Sequence, residues 1–208
     1  MNIAFFINKF PGIGGVETVT SQLANYFQSK NHKITIICFD SVNDSVSHDL
    51  DKGIALYKLK HPVTSISNIR KFREIIIGNK VEIILNQWCL PFYTTLFCRI
   101  SCRGLGCPII SVHHNSPAEN QKIRLAIEKL DSAHSMICRI KRIIIVIFWK
   151  LVTVISLRLT YFFSSKYVVL SNAFIPIFAK LTKVRDLSKI ESIPNPLTIP
   201  EIEEPAHS

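Results

Sequence analysis

Apolar residues follow two patterns along this chain, continuous runs and helical spacing, and the two patterns alternate. Residues 3–7 read IAFFI, a continuous apolar run that is typical of a strand buried on both faces of a sheet. Between Glu17 and Ser29 the apolar positions instead recur every three or four residues, which predicts an amphipathic helix. The chain is therefore expected to begin with a strand, a short loop and a helix.

The same alternation continues toward the end of the chain. Further strands are predicted over 32–39, 53–59, 81–87, 107–115, 166–171 and 189–196. Further helices are predicted over 67–80, 92–103 and 172–183. Strands that alternate with helices form a parallel sheet, so we expect a single Rossmann-like α/β domain of six or seven strands with helices on both faces. This domain is expected to span 1–198, with 199–208 as a tail.

A parallel sheet of this kind predicts where a ligand binds. Ligands of open α/β sheets bind in the crevice beyond the carboxyl ends of the strands. That rule selects four segments of this chain, which are 8–17, 86–88, 113–115 and 171–172.

The first of these segments is rich in glycine. The stretch FPGIGGVETVTSQL carries Gly12, Gly14 and Gly15 just before the first predicted helix. Bare backbone lets a ligand approach closely, and the free amides of a helix start favour an anion. The stretch is not a dinucleotide fingerprint, because Glu17 stands where the third glycine is needed, and it is not a P-loop, because no GK[ST] follows. From the motif alone, a tight strand-to-helix turn explains the glycines equally well.

Four stretches together resemble a known family. FPGIGGVET resembles the opening of retaining, sugar-nucleotide-dependent glycosyltransferases of family 4, which have the two-domain GT-B architecture. IISVHHNSP resembles their strand that ends in histidine, KYVVLSNAF their late strand that ends in serine, and KIESIPNPL the segment that leads into their second domain. The four stretches occur in the family's order and extend from Met1 to about residue 198.

The resemblance implies roles for particular residues. Gly14 and Gly15 would lie against the diphosphate of the donor or against the acceptor, with Glu17 beside them. His113 or His114 would face the acceptor sugar, and strand alternation puts these two side chains on opposite faces. Asn115, Ser171 and Asn172 are further binding candidates, and Asn195 would belong to the hinge between domains.

Each of these residues also has an ordinary structural interpretation. A histidine at a strand end is often a hydrogen-bonded structural residue. Glu17 is the kind of acidic residue that a helix dipole favours in the first turn, and Asn195 stands between two prolines in what can be a rigid turn.

The implied function is the acceptor-side half of a glycosyltransferase. Such an enzyme would transfer sugar from a nucleotide-diphosphate sugar to a polysaccharide or lipid-linked acceptor, with retained configuration and without a metal or other cofactor. In the family most of the donor site, including an E-x7-E motif, lies in the second domain. Glu201, Glu203 and Glu204 do not reproduce that spacing. The chain is therefore expected to be inactive alone, as a truncated product, an excised domain or one half of a split enzyme.

Two other functions stay open at this point. One is a non-catalytic subunit that completes a transferase in trans with a second-domain protein. The other is an NAD(P)-type Rossmann oxidoreductase or epimerase, for which Asp40 follows the second predicted strand about 25 residues after Gly15. The missing third glycine argues against the second alternative.

Charge adds a separate prediction about a partner. The net charge is +10, and no acidic residue occurs between Asp131 and Asp186. Residues 136–165 read MICRIKRIIIVIFWKLVTVISLRLTYFFSS, a basic and strongly apolar stretch that Lys150 interrupts too early for a membrane span. This composition favours a helix that lies on an anionic membrane surface, although a pair of helices packed on the sheet is the alternative. Nucleic acid is not an expected partner, since the basic residues lie among apolar ones.

Cysteine usage and the N-terminus bear on compartment. The six cysteines include no CxxC pair, and Cys98, Cys102 and Cys107 lack zinc-like spacing with a histidine pair. The opening MNIAFFINKF lacks a basic region and an apolar core of signal-peptide length. We therefore expect a cytoplasmic protein with reduced cysteines and no metal site, held peripherally at the inner face of the cell membrane.

Overall fold

The computed structural model describes residues 1–12, 14–40, 50–131 and 135–196. Its strands are β1 (Asn2–Phe6), β2 (Lys33–Cys38), β3 (Ala55–Lys58), β4 (Ile83–Asn86), β5 (Ile109–His113), β6 (Lys166–Val169) and β7 (Ile190–Ser192). Its helices are α1 (Gly15–Ser29), α2 (Ile66–Gly78), α3 (Tyr93–Ser101), α4 (Gln121–Asp131), α5 (Met136–Phe163) and α6 (Phe174–Thr182). The predicted tail 199–208 lies outside the described residues.

The strands form one parallel sheet in the order β3-β2-β1-β4-β5-β6-β7. The chain starts in the middle of the sheet, builds outward to β3, and then returns to place β4 on the other side of β1. This return makes the β1–β4 junction the topological switch point, where α1 and α3 leave the sheet and a crevice opens between them. The prediction of a Rossmann-like α/β domain with a parallel sheet is confirmed, and the strand count is seven in the described part of the chain.

The continuous apolar run of β1 is explained by its central place. Ala4 and Phe6 belong to the apolar cluster on one face of the sheet, whereas Ile3 and Phe5 belong to the cluster on the other face. The ring centroids of Phe6 and Phe72 lie 5.5 Å apart. A strand with two buried faces has no polar side to present, which is why period-two alternation is missing from this segment.

Two helices differ from the sequence prediction. Helix α4 was not predicted, although Ile123, Ala126 and Leu130 recur there at helical spacing and turn inward. Helix α5 is one continuous helix of 28 residues, so the alternative of two shorter packed helices is wrong. Helix α1 begins at Gly15, two residues before the predicted start, which makes the last glycine of the loop the first residue of the helix.

Only part of α5 packs on the sheet. Ser156, Leu157, Thr160 and Tyr161 are buried near its carboxyl end, whereas Val146 is the buried residue toward its amino end. By length and composition alone, α5 is long and apolar enough to cross a membrane, which corrects the prediction that Lys150 interrupts it too early; 22% of its most apolar window is buried in the fold.

Candidate active site

The sequence-predicted site segments follow β1, β4, β5 and β6, which are four adjacent strands. Because these strands are parallel, their carboxyl ends meet at one edge of the sheet. The glycine loop and Gln87 lie on either side of the switch point, and His114 follows the next strand along. We call this region the carboxyl edge.

The three glycines of the loop at this edge differ in the space around them. A Cβ built on Gly14 would lie 2.3 Å from Oε2 of Glu17, and one built on Gly12 would lie 3.3 Å from Cγ of Glu17. The side chain of Glu17 therefore folds back over the loop and leaves no room at those positions. A Cβ on Gly15 would meet nothing within 4 Å, and Gly15 is exposed. Internal packing explains Gly14, but it does not explain Gly15.

The start of α1 lacks a side-chain cap. Gly14 is the N-cap residue and has extended backbone, with φ 179° and ψ 160°. Since glycine has no side chain, it leaves the first-turn amides without the oxygen that serine or aspartate would supply. An uncapped helix start at a sheet edge is an arrangement that favours a polar or anionic ligand.

The two histidines lie on opposite faces of the sheet, as strand alternation predicts. His113 is buried, and its Nδ1 lies 2.9 Å from the hydroxyl of Tyr167 on β6. Burial and the neighbouring His114 lower the pKa of His113 to about 4. His113 is therefore neutral at pH 7 and contacts the core of the domain.

His114 lies on the other face and contacts the switch point. Its Nε2 is 2.6 Å from Oε1 of Gln87, which follows β4. An amide oxygen can only accept, so Nε2 donates and Nδ1 is left as an unprotonated acceptor. In the described part of the chain this buried Nδ1 has no hydrogen-bond partner. Burial lowers the pKa of His114 to about 4, so the ring is neutral at pH 7 and Nδ1 is an unprotonated acceptor that the fold covers.

The other predicted site residues lie at the rim. Asn115 is exposed beside the start of α4, where it lines a shallow pocket of about 530 Å³. The Oγ of Ser171 accepts a hydrogen bond from the backbone N–H of Ala173 at 3.3 Å, which gives Ser171 a turn role before α6. Asn172 is exposed next to it. These side chains follow β5 and β6 at the carboxyl edge, which places them beside His114 in sheet order.

Asn195 lies in a different place, along an apolar groove on the sheet face that carries His114. This sheet groove has a volume of about 220 Å³. Its walls include Leu23, Leu85, Val112, Val168 and Ile193, with His114 and Gln87 at its carboxyl-edge end.

A second pocket lies at the carboxyl edge, on the β2 side of the switch point; the strand-end rule selected its residues Asn8 and Trp88, but not the pocket that they form with Asp40 and His61. We call it the tryptophan pocket; it has a volume of about 550 Å³ and is lined by residues including Asn8, Asp40, His61, Trp88 and Tyr93. Trp88 is half-buried, with its ring 6.0 Å from that of Phe6, so it packs on the core and also lines the pocket. Asp40 lies 3.4 Å from Nε2 of His61 in a partly exposed pair. The signal for this pocket in the sequence is that Asp40 and Trp88 each follow a predicted strand.

The site residues do not form a metal centre, and two buried cysteines are not reactive thiols. Within residues 1–12, 14–40, 50–131 and 135–196, no group of three His, Cys, Asp or Glu side chains could hold a metal ion. Burial raises the pKa of the Cys89 thiol to about 12 and that of Cys38 to about 11, which keeps both thiols protonated.

Comparison with known proteins agrees with the α/β fold. The profile of Glycosyltransferase Family 4 matches residues 13–198. Among solved structures, Anabaena Alr3699/HepE in complex with UDP and glucose is similar at a TM-score of 0.56 and 12% identity, covering 94% of this chain and 44% of that one. A glycosyltransferase from Rickettsia africae is similar at a TM-score of 0.52 and 16% identity, covering 93% of this chain and 42% of that one.

Identities this low show the fold alone, and this chain spans less than half the length of both structures. No match was found among curated proteins. The family profile, by contrast, covers most of the chain, including the glycine loop from Gly14 onward, both histidines and Asn195. The chain belongs to Glycosyltransferase Family 4.

Proposed function

We propose that this domain is the acceptor-side half of a retaining glycosyltransferase that uses a nucleotide-diphosphate sugar without a metal. The observation that carries the proposal is the pairing of two features across the switch point. The uncapped α1 start at Gly14–Gly15 lies on one side, and the unpartnered Nδ1 of His114 lies on the other. The first has no side-chain cap, and the second has no hydrogen-bond partner in the described part of the chain.

His114 acts on the acceptor in this proposal. Once neighbouring side chains move off the buried Nδ1, the neutral ring accepts a hydrogen bond there from a sugar hydroxyl while Gln87 holds Nε2. This arrangement fixes the ring orientation before the acceptor arrives, which lowers the entropy cost of positioning the hydroxyl. Gly15 contributes open backbone against which the ligand lies.

The tryptophan pocket supplies a second contact for the acceptor glycan. Trp88 offers an aromatic face for an apolar sugar face, and Asp40 offers a carboxylate for hydroxyl groups. The second domain of the enzyme, which holds the donor, closes over this edge.

We assign the protein to the cytoplasm, at the inner face of the cell membrane. The basic apolar segment 136–165 supports this placement. A growing surface polysaccharide or a glycolipid is then within reach as acceptor.

A transfer assay tests the proposal. The chain is mixed with a donor-binding domain of the same family, and sugar transfer from labelled nucleotide-diphosphate sugars to glycan acceptors is measured. His114→Ala is expected to lower transfer at least about tenfold with the fold retained, because one positioned hydrogen bond is lost. Tyr167→Phe is the matched control, since it removes the hydroxyl beside His113 and leaves His114 in place. Equal activity of wild type and His114→Ala would refute the assignment.

A second candidate is a non-catalytic subunit that completes a transferase in trans. The sheet groove favours it, because an apolar sheet face lined by Leu85, Val112 and Val168 is suited to bind an apolar segment of a donor-binding domain. The same assay separates the two candidates by the effect of His114→Ala on turnover. Turnover that requires the second protein and survives His114→Ala supports the subunit role, and loss of turnover in His114→Ala supports the catalytic half.

A further inference from the structure

Helices α4 and α5 form an antiparallel hairpin. Nδ2 of Asn120, the residue before α4, donates to Oγ1 of Thr153 at 2.7 Å, and Nζ of Lys122 lies 4.2 Å from the ring centroid of Trp149. These contacts fix the start of α4 against the middle of α5. The 11 residues of α4 span about 16 Å, so α4 runs alongside a similar length of α5 on the amino side of Thr153.

This hairpin extends away from the carboxyl edge. Oγ of Ser156 accepts a hydrogen bond from the N–H of Phe92 at 2.8 Å, and Oγ1 of Thr160 donates to the carbonyl of Cys89 at 3.1 Å. Cys89 and Phe92 follow β4, so they lie at the carboxyl edge. After Thr160, α5 continues to Phe163 and enters β6 at the opposite edge. Residues 136–155 precede this anchor and form about 30 Å of helix, at about 1.5 Å for each residue.

One face of the extended part is apolar and exposed. The residues Ile140, Ile144, Ile147, Phe148, Leu151 and Ile155 recur at helical spacing, and each is 51–61% exposed. Leu125 and Ile127 of α4 are exposed beside them. Soluble monomers rarely leave so large a continuous apolar surface uncovered, so this face indicates a partner.

The charges around this face identify the kind of partner. Exposed basic side chains flank the apolar stripe at Arg139, Lys141 and Lys150, and α5 contains no acidic residue. A spanning helix would carry Lys150 into the hydrocarbon core at high cost, whereas a helix in the interface keeps such side chains at the headgroups. Basic residues beside an apolar face match the chemistry of anionic phospholipids.

We propose that the α4–α5 hairpin lies on an anionic phospholipid bilayer and holds the carboxyl edge beside the membrane surface, so that the acceptor is a lipid-linked glycan. The choice of acceptor rests on the proposed glycosyl transfer, whereas the docking does not. The hairpin projects from the same edge that carries His114, so a sugar on a lipid headgroup meets the site without leaving the membrane surface.

Vesicle sedimentation tests the docking. The full chain is mixed with vesicles of phosphatidylcholine alone or with phosphatidylglycerol added, at low and high salt. Wild type is expected to sediment with the anionic vesicles and to be released by high salt. The double variant Ile144→Glu with Leu151→Glu is expected to bind at least about tenfold more weakly, because charge is placed in the apolar stripe.

The matched control is Ile66→Glu with Ile77→Glu, which changes two exposed apolar residues of α2. It is expected to bind vesicles as wild type does. Equal binding by the hairpin variant and wild type would overturn the proposal. A wild-type protein that resists alkaline extraction from vesicles would also overturn it, since that result indicates a spanning helix. So would a wild-type dimer in light scattering that the hairpin variant does not form, since a second copy would then cover the hairpin.

A comparison of acceptors tests the second part. With a donor-binding domain present, the hairpin variant is expected to lose transfer to a lipid-linked acceptor in anionic vesicles and to retain transfer to a water-soluble analogue. Equal loss on both acceptors would overturn the hairpin's role in presenting the acceptor. If wild type sediments with vesicles but glycosylates neither acceptor, the docking stands and the proposed transfer fails.

Discussion

A side chain at Gly15 would have open space around it, so packing does not explain why this residue is glycine. Gly14 is crowded by the carboxylate of Glu17, whereas a Cβ on Gly15 would meet nothing within 4 Å. Single residues at the carboxyl edge thus separate into those that packing requires and those that packing leaves open. The second kind is where a ligand explains the sequence best.

Gly15→Ala tests this separation. Alanine at the first position of α1 is expected to leave the free energy of unfolding unchanged or to raise it by up to about 1 kcal/mol, because alanine favours helix over glycine. Binding of sugar ligands is expected to fall at least about tenfold, because a methyl group then stands where the ligand approaches. Calorimetry with and without ligand measures both.

Gly78→Ala is the control for Gly15→Ala. Gly78 lies in the last turn of α2, is exposed, and also has nothing within 4 Å of an added Cβ. It is expected to leave ligand binding unchanged. A Gly15→Ala protein that binds sugars as wild type does would show that the bare backbone has only a turn role.

The buried histidines predict a pH dependence of stability. Burial lowers the folded-state pKa of His113 from about 6.5 to about 4, so the unfolded state binds more protons between these values. The stability contribution is complete above pH 6.5 and is lost as the pH falls toward 4, by roughly 3 kcal/mol for His113. Urea unfolding at a series of pH values measures this loss, and His113→Gln is expected to flatten the slope. A wild-type stability that is constant from pH 7 to 4 would contradict it.

At the scale of elements, hydrophobic periodicity predicted the strands and helices that pack in the sheet core, and it missed α4, which packs only in part. β1 was predictable because both of its faces are buried, and a doubly buried strand is a continuous apolar run. Helix α4 was missed because only part of its surface packs on the fold and its composition is polar. Helix α5 was predicted as a basic apolar segment, but its unbroken length could not be read from a pattern that Lys150 and Arg158 interrupt.

A pair of substitutions within α5 tests how much of the helix belongs to the fold. Leu157 is fully buried beside Tyr161, whereas Leu151 is exposed on the hairpin. Leu157→Ala is expected to lower the free energy of unfolding by about 2–5 kcal/mol, because it leaves a cavity. Leu151→Ala removes the same atoms and is expected to change it by less than about 0.5 kcal/mol. Urea denaturation of the two variants decides, and equal losses would show that the hairpin packs on the domain in solution.

At the scale of the whole molecule, topology brings the site together. The glycine loop and Gln87 are more than seventy residues apart, His114 lies a further 27 residues on, and strand order makes the three neighbours. The sequence rule for strand ends selected segments that the structure brings to one edge of the sheet. It could not choose between His113 and His114, because that choice depends on which face of β5 the core covers. It also could not identify the tryptophan pocket, which needs the loops after β2, β3 and β4 to meet.

Ligand titration followed by amide NMR tests the central claim most directly. A panel of nucleotide-diphosphate sugars and short glycans is added to the isotope-labelled chain. The account predicts shifts at Gly15, Gln87 and His114, on both sides of the switch point. It predicts none at the pocket on the opposite edge of the sheet, which is lined by residues that include Arg99 and Ser165. Shifts confined to that opposite pocket, or none at Gly15 and His114 with any sugar, would contradict the claim that the carboxyl edge is the sugar-binding site.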